Sequence, residues 1–187
     1  MSHPVMRFLV LAAALQLPTH AAPATAITST PAARVDPSGV RSADKDFIDQ
    51  AGASGLAEIE AARLALKQAE ADGVKQLANM LIDDHTKANE RLNTVAALKN
   101  LSLPSEPTAQ SRKKIAELQG KSGKAFDEAY LKQQKEGHQK SIALYRKQAK
   151  SGGDEDLRRY AAATLPTIEG HLKHIEALLQ GKHAKDH

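Results

Sequence analysis

Between Asp44 and Gln180 apolar residues recur every three or four positions in four long runs. That periodicity restricts the chain to helices packed against helices. The first run spans roughly Asp44 to Ala71, with Ser42 as an N-cap and a stripe at Phe47, Ile48, Ala51, Gly55, Ile59, Ala62 and Leu66. Asp72-Gly73 is expected to break it, glycine being suited to the left-handed position after a helix end. The second runs roughly from Val74 to Lys99, striped by Val74, Leu77, Ala78, Leu81, Ala88, Leu92, Val95 and Ala96. "NLSLPSEP" interrupts the pattern, and a short helix from Thr108 to Gln119 follows. The third long helix covers roughly Lys124 to Lys150. After the turn "SGGD", Asp154 is placed to cap the fourth, roughly Glu155 to Gln180, with Pro166 inside it. The expectation is an all-α four-helix bundle over residues 44–181, with a short extra helix between the second and third long helices. The two tight turns make antiparallel hairpins. The connection between the hairpins is long enough to stay local or to cross the bundle, so the direction of the third helix is open.

Helical angle then assigns directions to the polar residues. His85 falls inside the second stripe, four after Leu81 and three before Ala88. Asp83 points away and Asp84 sits at the stripe's edge. His138 lies at the centre of the third stripe, among Leu131, Gln134, Ile142 and Tyr145. His171 lies within the fourth, with His174 at its boundary, and Glu58 falls on the flank of the first. Glu58, His85, His138 and His171 each stand within about one turn of their helix midpoints, so all four share one level of the bundle. A lone inward histidine is ordinarily a hydrogen-bonded core residue. Four titratable groups at one height also suit one transition metal ion: Zn, Mn, Fe or Cu. Two hypotheses follow. One is metal binding through Glu58, His85, His138 and His171, with His174 and Asp84 as candidates for orienting those ligands. The other is a metal-free structural or protein-interaction bundle whose Glu/His cluster is a buried hydrogen-bond network. No serine or cysteine triad signature supports nucleophilic catalysis, so an enzyme ranks last.

The N-terminus carries an address. Arg7 precedes an apolar run from Phe8 to Leu17, and small residues follow, with cleavage expected after Ala21. The run is too short for a transmembrane helix, and no other segment could span a membrane. Residues 1–21 are thus expected to be a signal peptide, and residues 22–43, rich in Pro, Ala and Thr, a disordered linker. Residues 182–187 form a polar tail. The expected location is beyond the inner membrane, in the periplasm or associated with the outer membrane, where an envelope component is the natural class of partner. From Asp44 onward acids and bases nearly balance, and no basic stripe with interleaved aromatics appears, which argues against nucleic-acid binding. There is no cysteine, which excludes disulfides and thiolate metal sites.

The segments "SGLAEIEAARLAL", "VKQLANMLIDDHTKANERL", "FDEAYLKQQKEGHQKSIALYRKQA" and "LPTIEGHLKHIEALL" resemble the domain-of-unknown-function (DUF) 4142 family of secreted bacterial proteins. The resemblance runs from roughly Asp44 to Leu179. It implies a ferritin-like fold and an envelope location. The family's recurring positions match Glu58, Asp84-His85, Phe126-Asp127-Tyr130, His138 and His171. No activity is established for the family, so the resemblance implies fold and place more than chemistry. The chain departs from diiron ferritins, which pair each ligating histidine with a glutamate three residues earlier. Ile82, Lys135 and Ile168 stand there instead, so at most one metal is expected.

Overall fold

A computed structural model describes residues 39–181; the signal-peptide expectation, most of the linker and the tail lie outside them. Five helices account for the described chain: α1 (Ser42–Gln68), α2 (Asp72–Ala97), α3 (Ala109–Gln119), α4 (Gly123–Ser151) and α5 (Glu155–Leu179). The four long ones form the expected bundle, and α3 is the short extra helix. Val40 is buried and α1 starts at Ser42. The N-cap is therefore Arg41 rather than Ser42, and its side chain makes no capping bond.

Two buried carboxylates fix the topology. Asp127, near the start of α4, accepts from the backbone N–H groups of Glu70 and Ala71, at 3.1 and 2.9 Å, in the turn between α1 and α2. Asp44, near the start of α1, accepts from Gln148 Nε2 at 2.7 Å and from the N–H groups of Gly153 and Asp154, where α4 turns into α5. The start of α4 thus lies beside the end of α1, and the starts of α1 and α5 share the opposite end. Hence α4 runs parallel to α2, and residues 98–122 must cross the bundle's length, with α3 laid along α1 and α4. Around the bundle the order is α1, α2, α5, α4, with every adjacent pair antiparallel.

Asp127 also explains why the first turn differs from expectation. Gly73 is not a left-handed break; it is buried within α2. The chain turns through Ala69–Ala71 in extended conformation, and the Asp127 carboxylate accepts from N–H groups that a left-handed residue would have paired with the last carbonyls of α1. The left-handed residue appears at the other end of α2. Asn100 has φ 56°, and the Leu101 N–H closes on the Ala96 carbonyl. Asp154 caps α5 as expected, accepting from the Leu157 N–H at 3.0 Å, and α5 continues through Pro166.

The core is divided. Ala62, Ala65, Leu77, Leu81, Phe126 and Ile175 belong to an apolar cluster near the α1–α2 turn. Phe47, Ile48, Leu92, Tyr145, Leu157 and Ile168 belong to a second near the α4–α5 turn. Leu77, Leu81 and Leu92 are fully buried, each contributing about 1.5–3 kcal/mol. Between the clusters lies a polar layer. A bundle that spends its mid-section on polar groups gives up apolar burial there, and the groups need partners.

Candidate metal centre

Three of the polar residues converge. His85 on α2, His138 on α4 and His171 on α5 each offer a ring nitrogen, and these nitrogens lie within 4.8 Å of one another. The ring centroids form a near-regular triangle, at 5.9, 5.5 and 5.4 Å. His138 and His171 are buried, at 1% and 3% exposure. His85 keeps some exposure, but its Nε2 is buried.

Hydrogen bonds on the far side of two rings assign their tautomers. His138 Nδ1–H donates to the carbonyl of Gln134, one turn earlier, at 2.9 Å. Its Nε2 is therefore left with a lone pair. His171 Nε2–H donates to Asp84 Oδ2 at 2.9 Å, which leaves the lone pair on Nδ1. Those two lone-pair nitrogens face each other at 3.4 Å. Two acceptors at that distance repel unless a proton or a metal ion lies between them. His85 Nε2 points no other partner into the problem: it is buried without a hydrogen bond. Three imidazole nitrogens, two of them oriented by a carbonyl and a carboxylate, form the usual frame of a histidine metal site. The donor set fits a single ion.

Electrostatics agree with ligands kept neutral. Burial, with His138 and His171 adding, pushes the His85 imidazole down to about 3. Burial also lowers His171, against the hydrogen bond from Asp84, which acts to raise it. An imidazole that stays unprotonated near neutral pH is available to a metal without first losing a proton.

Glu58 is placed differently. It is buried on α1 with its Oε1 beside Gly137 of α4. It does not join the three histidines as a fourth member of the converging group. It lines a cleft of about 250 Å³ between α1, α3 and α4. Burial raises its carboxyl above the usual carboxylate range, with His138 and Gln134 opposing. Its Oε2 has no partner, and neither do Tyr130 Oη and Gln134 Oε1. Asp84 orients His171. His174 sits half-buried one turn beyond His171, close enough to influence its charge but outside the converging group. Gln134 escaped the sequence reasoning as a site residue. The available signal was a polar residue on an apolar line, four before an inward histidine. The ring of Tyr130 stacks on Phe126 at 5.7 Å. Its hydroxyl, however, ends in the polar layer.

The comparisons with known proteins bear on this arrangement. The model of the DUF4142 family, a domain of unknown function, matches residues 28–178. Among curated proteins no sequence matches the chain. Several solved structures share the fold. A DUF305 fragment from Deinococcus radiodurans is 14% identical, with a TM-score of 0.67 over 76% of this chain and 98% of that one. A DUF305 protein from Streptomyces coelicolor, described as a "putative secreted protein", is 16% identical, at 0.64 over 78% and 96%. CopM in its Cu(I)-bound form is 18% identical, at 0.63 over 74% and 96%. CopM is also known in Cu(II)-bound and Ag-bound forms.

Proposed function

We propose a function for a chain that belongs to the DUF4142 family: it is an exported helical bundle that holds one metal ion through His85, His138 and His171. The observation that carries this reading is the pair of lone-pair nitrogens facing at 3.4 Å, with a ring nitrogen of His85 within 4.8 Å of the group. Imidazole donors without a thiolate or a converging carboxylate suit Cu and Zn over Mg, Ca or Mn. Cu(I) is the favoured ion, because the three converging donors are all neutral nitrogens in a compact site. The copper-bound and silver-bound forms of a protein with the same fold support that choice. Export is supported by the leader pattern of residues 1–21 and by the neighbour of the same fold described as secreted. No described helix is long and apolar enough to cross a membrane. The role this implies is metal handling or stress protection in the cell envelope, by binding rather than turnover.

Native mass spectrometry of untagged protein loaded anaerobically with Cu(I) tests the reading. One ion per chain is expected, and none in a His85→Ala/His138→Ala variant. Substoichiometric metal in both proteins would leave the histidines as a metal-free network around a shared proton.

A further inference from the structure

We propose that the cleft between α1, α3 and α4 is the path by which an ion reaches the three histidines, and that Glu58 is the ligand that hands it on. The inference rests on the metal-binding reading above. Two of the three imidazoles are buried, so an ion must pass between helices to reach them. One approach runs past Asp84 and His171, another through the cleft. Along the α2–α5 side an ion meets Asp84 already engaged by His171 Nε2–H, the protonated face of that ring. From that direction the hydrogen bond must break, and the lone pair points away.

The other side offers oxygen. The cleft holds about 250 Å³ and is lined by polar side chains, among them Ser54, Gln133, Gln134 and Ser141. Glu58 belongs to its lining, and its Oε1 stands beside Gly137, the residue before His138 on α4, so one side chain reaches from the cleft toward the centre. Glu58 Oε2, Gln134 Oε1 and Tyr130 Oη are all buried without partners. Of these residues Glu58 and Gln134 line the cleft, and buried oxygens of this kind ordinarily have a partner. A cation is the partner they suit, and a carboxylate in a low-dielectric channel attracts it over the last step. The absence of a side chain at Gly137 makes room for the carboxylate. A Cβ there would stand 3.0 Å from Glu58 Oε1. The glutamate thus has a place beside the site without being one of the converging donors, as a relay requires.

The test is kinetic. Cu(I), supplied as its acetonitrile complex under anaerobic conditions, is mixed with the full chain. Loading is followed by stopped flow, and release by transfer to a chromophoric chelator. Glu58→Gln is expected to slow loading and release together, each by about 10-fold. Ser141→Phe, which fills the cleft outside Glu58 and touches no histidine, is expected to slow both as well. It keeps the proposal falsifiable if the glutamine variant fails to fold. Glu58→Gln that loads at the wild-type rate but releases faster would make Glu58 a resident ligand and overturn the relay. Wild-type rates in a folded Ser141→Phe protein would overturn the path. If the wild-type chain takes up no Cu(I), the metal-binding reading itself fails, a result distinct from the other two.

Discussion

His85, His138 and His171 could be directed inward from helical angle alone, because apolar residues three or four positions away set each direction: Leu81 and Ala88 for His85, Ile142 for His138, Ile168 and Ile175 for His171. Angle could not say what their outer nitrogens would touch, and that contact decides the chemistry. Asp84, at the stripe's edge, turns out to bond His171 across the α2–α5 interface. Glu58, on the flank of its stripe, faces the cleft rather than the triangle, since a flank position serves either neighbour. In the proposed site Asp84 would act on an ion through His171, the ring it hydrogen-bonds. Asp84→Asn should therefore leave the fold intact, the side chain being a third exposed, while weakening Cu(I) affinity by about 10–100-fold in a competition titration. The pH response follows from His85. Its folded pKa is lowered from 6.5 to about 3, so between those values the unfolded chain binds the extra proton. Metal-free protein should keep its full stability above pH 6.5 and lose up to about 1.4 kcal/mol per pH unit below it, with His171 contributing in the same direction. Urea midpoints measured across that range check the sign; a midpoint that rises on acidification would contradict it.

Helix boundaries were legible where a local signal set them and not where a distant residue did. Asp154 caps α5 through its own neighbour Leu157, and the sequence carries that signal. The α1–α2 turn is set instead by Asp127, 56 positions beyond Ala71, which no reading of Asp72-Gly73 alone can reveal. Asp44 performs the matching task at the other end, 109 positions from Gly153. Each carboxylate ties a hairpin turn to a helix of the opposite hairpin. Removing one strands backbone donors in buried surroundings. Asp44→Ala should cost about 3 kcal/mol, since Gln148 Nε2 and two N–H groups lose their acceptor, and Asp127→Ala about 2 kcal/mol. Chemical denaturation would show these as lowered midpoints. Losses below about 0.5 kcal/mol, the range of ordinary surface substitutions, would mean the clasps do not hold the hairpins together.

The bundle as a whole keeps an apolar cluster toward each end and a polar layer between them. Four helices with two hairpin turns were evident from periodicity, but the direction of α4 was not, because residues 98–122 could have served either topology. The two clasps decide it: α4 runs parallel to α2, and the crossover lays α3 over the α1–α4 side, where it forms a wall of the cleft. The same topology brings α2, α4 and α5 around one point at mid-height, so that three histidines widely spaced in sequence become neighbours. X-ray absorption spectroscopy of the Cu(I)-loaded protein, carrying His183→Ala and His187→Ala so that the tail offers no imidazole, tests this convergence directly. Three imidazole nitrogens per copper are predicted, falling to fewer in His171→Ala. A copper shell of oxygen donors, or one that does not change when His171 is removed, would contradict it.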